Sequence, residues 1–181
     1  MKISTGVGDG GKTRLRGGKP LWKDDPVVEA LGAVDEVNAA LGLAKAHGAD
    51  DLLTEKLEEL QKLLHVLGTD VASPRGARAP KNVSRISPVH VAWMEKQIDS
   101  LEGILPPLRN FILAGGSPAG AALHLARTLC RRAERALVPL LKKKWASKDA
   151  QVFLNRLSDY LFLLARETNR RVGKIETPWL P

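Results

Sequence analysis

Three stretches of this 181-residue sequence combine residue types and spacings that could do chemistry. The first is Gly6-Val7-Gly8-Asp9-Gly10-Gly11-Lys12-Thr13. Successive glycines leave backbone N–H groups free to converge on an anion, Lys12 adds charge, and Thr5 or Thr13 supplies a hydroxyl. The string satisfies the Walker A pattern, whose lysine meets the terminal phosphates of a nucleotide. That pattern works between a buried strand and a helix, yet only Met1 to Thr5 precede it, and Gly17 and Gly18 follow within a few residues. Phosphate binding without a P-loop fold fits best; a flexible terminus and a true Walker site are the alternatives.

The second stretch runs from His124 through Arg127, Arg131, Arg132, Glu134 and Arg135. Residues 124, 127, 131 and 134 are three and four apart, so on a helix they share one face. Two arginines one turn apart can clamp a polyphosphate with paired N–H forks, and Glu134 can orient a guanidinium or help hold a hydrated metal. The competing reading is a solvated face of local ion pairs. In the third stretch, Asn155 and Asp159 lie one turn apart, with Phe162 and Arg166 following on the same face and leucines opposite. Polar residues in so apolar a helix must be paired if buried, either as a structural network or as a ligand site. Asp35, Glu36 and Asn38 pose the same question further upstream. The histidines at 47, 65, 90 and 124 show no metal-ligand spacing. Cys130, the one cysteine, permits no intrachain disulfide and reads as a small buried residue.

These candidates need elements to hold them. Apolar residues recur at gaps of three and four in Ala30, Val34, Val37, Leu41 and Ala44, and in Leu53, Leu57, Leu60, Leu64 and Leu67. The same stripe appears in Val91, Met94, Ile98, Leu101 and Leu105, in Leu125, Leu129, Ala133, Ala136 and Leu140, and in Leu154, Leu157, Leu161 and Leu164. Asp25-Pro26, Ser87-Pro88 and Ser117-Pro118 each pair a capping side chain with a proline whose missing N–H is harmless at the first helical position. The spacing predicts five helices, near 26–47, 51–72, 88–103, 118–144 and 149–172, with Pro139 expected to kink or end the fourth. The fold class expected is all-α, a five-helix up-and-down bundle, because each stripe must be buried against another helix. One domain spans 1–181: a glycine-rich amino-terminal arm at 1–24, the bundle at 25–172 and a tail at 173–181. The segment Ser73 to Ser87 reads as a mobile solvated loop.

With 44% hydrophobic and 27% charged residues, the chain is not disordered, collagen-like or of low complexity. A net charge of +8 favours an anionic partner: nucleic acid, an anionic membrane or a phosphorylated small molecule. A nucleic-acid binder is disfavoured because the four Trp, three Phe and one Tyr sit mostly in predicted helices, not interleaved with basic residues on a stacking platform. No apolar run reaches the length of a spanning helix and no signal peptide is visible, so a cytoplasmic protein with no membrane partner is expected.

The ordered set of segments resembles the PduO-type ATP:corrinoid adenosyltransferases nearly end to end. Its carriers are Thr5 to Thr13, Lys23-Asp24-Asp25, Gly32 to Asn38, Phe111-Ile112-Leu113-Ala114-Gly115-Gly116, Ala126 to Arg135, and Leu154 to Asp159. The resemblance implies a five-helix bundle assembled as a homotrimer with active sites between subunits. It also implies transfer of the 5′-deoxyadenosyl group from ATP to the cobalt of a reduced corrinoid, with release of triphosphate. By that likeness Thr5, Gly6, Gly8, Asp9, Gly11, Lys12, Thr13 and Lys23 hold the triphosphate with Mg²⁺. Arg131, Glu134 and Asn155 belong to the nucleotide site, and Asp35 pairs with Arg127 across the subunit boundary. Phe111 lies beside the corrin and helps exclude its lower axial ligand. Phe111, Arg127, Arg131 and Asp35 are thus the expected catalytic set, with no protein-held metal site. A reductase and an adenosylcobalamin-dependent acceptor enzyme are implied as partners. Ala114 departs from the family's usual proline, which removes one source of rigidity from the segment bearing Phe111.

Overall fold

A computed structural model describes residues 4, 6–15, 18–73, 75 and 82–180. The chain opens with two short strands, β1 (Lys12–Arg14) and β2 (Pro20–Trp22), and continues into five helices. These are α1 (Pro26–Ala46), α2 (Asp51–Val71), α3 (Pro88–Glu102), α4 (Pro118–Lys142) and α5 (Lys148–Arg171). All five predicted helices are present with ends shifted by no more than a turn.

The helix starts follow from capping chemistry. Asp25 Oδ1 accepts from the Val27 N–H at 2.9 Å, and the Ser117 hydroxyl accepts from the Gly120 N–H at 3.0 Å. Ser87 instead donates its own N–H to His90 Nδ1 at 3.1 Å, one half of a reciprocal cap. Asp50 and Ser147 cap α2 and α5 without a following proline, through the Leu53 N–H at 2.8 Å and the Ala150 N–H at 3.1 Å.

α1 and α4 share the most extensive interface, α4 also packs on α5, and α2 and α3 flank the outside on α1 and α5 respectively. Small residues explain the closeness of the central pair: Ala30, Ala33, Ala40 and Ala44 on α1, and Ala119, Ala122, Ala126 and Ala133 on α4, are all buried. Arg132 of α4 then reaches α1, pairing with Glu29 at 3.1 Å and with Glu36. Leucines fill the remaining layers, and Tyr160 and Phe153 of α5 are the largest side chains wholly enclosed.

α4 ends one turn after Pro139: the helix runs on to Lys142 and closes with the Lys143 N–H donating to the Pro139 carbonyl at 3.2 Å. The lost N–H and the ring clash of a proline both act on the turn before it, so the downstream turn still forms. Within the arm, β1 and β2 pair antiparallel with Lys12 opposite Trp22. The 73–87 segment, expected to be solvated, has anchored ends. Asp70, 1% exposed, accepts from Arg75 at 2.5 Å, from Arg85 at 2.6 Å and from the Ile86 N–H at 3.2 Å. A buried carboxylate must be paired, and the loop supplies the cations. Pro74 and residues 76–81 lie outside the described residues.

Candidate active site

α4 and α5 build the cleft that the sequence pointed to. Arg127 and Arg131 of α4 face Ser158, Asp159, Phe162, Leu163 and Arg166 of α5 across a hollow of about 590 Å³. The segment after α3 closes one side with Leu105, Pro106, Pro107 and Leu108. The 3-4 spacing of 127 and 131, and of 159, 162 and 166, is what turns these side chains the same way. Half of the lining is apolar; the polar half sets three arginines, Arg127, Arg131 and Arg166, against the carboxylates of Asp159 and Glu102, leaving a net positive cleft.

The electrostatics reflect partial enclosure. Asp159 is held above the ordinary carboxylate value, chiefly by burial, with Arg156 and Arg131 opposing the shift. His124, 4% exposed, is pushed below its ordinary value by burial and then by the neighbouring Arg127 charge. Its ring meets Phe162 edge-on, with centroids 5.9 Å apart. Arg127 Nε is buried and has no hydrogen-bond partner among the described residues.

Glu134 and Asn155 come together as expected. Asn155 Nδ2 donates to Glu134 Oε1 at 3.2 Å, and Gln151 Nε2 donates to the same oxygen at 3.4 Å. Asn155 Oδ1 in turn accepts from Arg156 Nη1 at 2.9 Å, and Arg156 Nε donates to Glu95 of α3 at 3.0 Å. This chain of bonds fixes the amide orientation of Asn155 and presents it beside the α4 arginines.

The arm residues stand elsewhere in the protomer. Gly6 and Gly11 adopt φ of 70° and 75°, the left-handed region that glycine enters freely. The Asp9 N–H donates to Gly6 O and the Gly11 N–H to Gly8 O, both at 3.2 Å, so the glycine stretch forms consecutive turns. Lys12 and Thr13 then enter β1, where Lys12 Nζ lies 4.6 Å from the Trp22 ring centroid. A Walker lysine opens a helix; here it opens a strand, so the fold is not that of a P-loop. The Lys23 N–H donates to Gly11 O at 2.9 Å, and its ammonium nitrogen lies next to Gly8. Lys12, Lys23 and the Gly8–Gly11 backbone therefore cluster, but not around Arg131. Thr5 lies outside the described residues.

Asp35 is exposed on α1 and lines a different hollow with Asn38 and His65; it does not meet Arg127 within the chain. Phe111 is 80% exposed, on the segment that continues from the Leu105–Leu108 wall of the cleft. Sequence reasoning placed Asp159, Phe162 and Arg166 on one face but did not assign them to the site. It missed the wall at 105–108 and the contribution of Glu176, whose carboxylate meets Arg166. Leu105 closed the apolar stripe of α3, but no periodic pattern marks Pro106, Pro107, Leu108 or Glu176. Among the described residues no group of three or more His, Cys, Asp or Glu is arranged to hold a metal, and no helix is long and apolar enough to cross a membrane. Cys130 is buried, donates to Leu154 O at 3.2 Å, and has its thiol pushed up by burial, as a packing residue should.

Fold and cleft together define a helical-bundle protein with a basic, partly apolar cleft and a separate glycine-rich loop beside Lys12 and Lys23. Residues 3–168 match the family described as cobalamin adenosyltransferase. The chain is 40% identical over 178 residues to the corrinoid adenosyltransferase of Bacillus subtilis, covering 96% of this chain and 89% of that protein. It is 39% identical over 184 residues to corrinoid adenosyltransferase MMAB of Bos taurus, covering 97% and 74%. A solved PduO-type ATP:corrinoid adenosyltransferase from Lactobacillus reuteri, a single-residue variant complexed with cobalamin and ATP, superposes with a TM-score of 0.92 at 37% identity, covering 99% of this chain and all of that one. The chain therefore belongs to the cobalamin adenosyltransferase family.

Proposed function

We propose that this chain transfers the 5′-deoxyadenosyl group of ATP to the cobalt of a reduced corrinoid, in active sites shared between copies of the chain in a homotrimer. The Co(I) electron pair attacks the ribose C5′, the C5′–O bond breaks, and the bonding electrons leave with triphosphate. Cobalt(I) is itself the nucleophile, so the protein needs no activated serine or cysteine. Its tasks are to align C5′ with the cobalt and to stabilise the departing anion. Arg131 meets the developing negative charge, with Glu134 and Asn155 orienting the nucleotide beside it. The turns at Gly6–Gly11, with Thr5, Asp9, Lys12, Thr13 and Lys23, hold the triphosphate tail. Mg²⁺ would neutralise triphosphate charge here, and the exposed Asp9 carboxylate, beside Gly6 in the loop, is the arm residue that would help hold such a hydrated ion. Phe111 packs against the corrin and keeps a lower axial ligand away. A reductase supplies the Co(I) state, and an adenosylcobalamin-dependent enzyme receives the product.

The observation that carries the shared site is a separation within one protomer: Arg127 lines the α4–α5 cleft, whereas Asp35 lines a different hollow with Asn38 and His65. Asp35, exposed on α1, is the complementary carboxylate, and the arm lies away from the α4–α5 cleft in one protomer. An arm and an α1 surface from one copy facing the cleft of the next satisfy both. Asp35→Asn should weaken assembly and activity together, read by sedimentation velocity and by turnover; an intact trimer with full activity would count against the pairing. The activity itself is tested anaerobically with ATP and chemically reduced cobalamin, following the spectral change of cobalt–carbon bond formation. Triphosphate should appear only when the reduced corrinoid is present. Phosphate release from ATP alone would overturn the assignment.

A further inference from the structure

Phe111 has no element of its own to hold it. It lies in the connection between α3 and α4, which lacks helix or strand and carries alanine at position 114. What holds it comes from the far end of the chain. The Leu113 N–H donates to Thr177 O at 2.9 Å, the Trp179 N–H donates to Phe111 O at 2.7 Å, and Ile112 sits opposite Pro178 in an antiparallel bridge. Ile112 and Pro178 oppose each other at a non-hydrogen-bonded position, where the missing N–H of Pro178 costs no ladder bond, and the two flanking backbone bonds hold the pairing. So short a pairing is not stable alone in water and needs an outside anchor to set its register. A one-residue slip would turn the Phe111 ring to the opposite face.

The anchor is adjacent to the ladder. Glu176, the residue before Thr177, accepts from Arg166 Nε at 2.7 Å and from Arg166 Nη2 at 3.2 Å. Arg166 Nη2 also donates to the Pro106 carbonyl at 2.8 Å, and the arginine side chain is 5% exposed. One enclosed guanidinium thus joins α5, the start of the Phe111 segment and the tail. The fork geometry matters, because a single ammonium could not reach both partners in fixed directions. Arg166 also lines the cleft with Arg127 and Arg131, so the same side chain references the Phe111 segment to the cationic wall.

We propose that Arg166 and Glu176 are positioning residues that lock the register of the carboxyl-terminal tail against the Phe111 segment and thereby hold the Phe111 ring at the corrinoid position. The inference rests on the reading of Phe111 given above. The test is a double-mutant cycle on the full chain with ATP and reduced cobalamin, using Glu176→Gln, Phe111→Ala and the two combined. Glu176→Gln should slow cobalt–carbon bond formation about tenfold, with the KM for ATP unchanged within about twofold, as misplacement without loss of binding predicts. Hydrogen exchange at the Leu113 and Trp179 amides should lose protection while the helices keep theirs. The combined variant should be no slower than Phe111→Ala alone. Arg166→Lys, which keeps the charge and loses the fork, should behave as Glu176→Gln. Trp179→Pro removes a ladder donor without touching the ion pair, and should loosen the Leu113 amide.

Turnover of Glu176→Gln near that of the unaltered protein, unchanged amide protection, or fully additive losses in the combined variant would each overturn the lock. If Phe111→Ala alone leaves turnover intact while the unaltered protein forms the bond, the role given to Phe111 fails instead.

Discussion

The arginine face of α4 and the Phe111 segment both border one cleft, yet they are held by different physics. Arg127 and Arg131 ride on a 25-residue helix whose opposite side is buried against α1 and α5, so their separation is set by helical rise and core packing. Phe111 depends on two backbone hydrogen bonds to a tail and on one ion pair beneath it. The first arrangement resists displacement because moving an arginine means moving the core. The second can open at the expense of a few surface bonds. A charge-stabilising wall gains from rigidity, since preorganised donors need no rearrangement as charge develops.

That contrast orders the expected effects of mutation. Arg131→Ala strikes the rigid side and should remove about 2–4 kcal/mol of transition-state stabilisation, a loss of roughly 10²–10³ in turnover with the fold intact. Near-normal turnover would show that the α4 face does not meet the leaving group. Phe111→Ala strikes the pliable side and should lower turnover with corrinoid by about tenfold while ATP affinity, titrated separately, stays within about twofold. Equal damage to both ligands would erase the division between the two walls.

A third comparison lies outside the cleft. Asp70 anchors its loop with two arginines and a backbone N–H, as Arg166 anchors the tail, but it sits at the opposite side of the sequence pattern, on α2. Asp70→Ala should lower stability by about 2 kcal/mol, because the freed arginines are partly exposed and can find water. The thermal midpoint should fall by about 4–8 °C with little change in KM for ATP. The smallest effect belongs to His124. Its folded-state affinity for protons is depressed below the ordinary value of 6.5, so the unfolded chain binds the proton first as pH falls. Stability should therefore hold above pH 6.5 and decline below it, and His124→Asn should flatten that decline in urea melts followed across pH.

Much of the site was legible because helices translate sequence spacing into direction. Arg127, Arg131 and Glu134 share a face by arithmetic, and Asn155 meets Glu134 because the polar stripe of α5 had no other place to satisfy itself. The glycine turns were legible for another local reason, the positive φ that Gly6 and Gly11 adopt. The 73–87 segment was legible only in part: its polar composition marked a loop, but nothing in its spacing showed that Arg75 and Arg85 at its two ends would meet one buried carboxylate, Asp70.

Helix number, caps, the cationic face and the glycine loop were determined by the sequence alone, since each depends on residues within a turn or two of one another. The tertiary structure decided the rest. It brought Glu176 to Arg166, Thr177 and Trp179 to the Phe111 segment, and left Arg127 Nε without an acceptor among the described residues. Those partners are far apart along the chain or absent from it, and only the closing of the core fixes which distant backbone and which charge a side chain will meet.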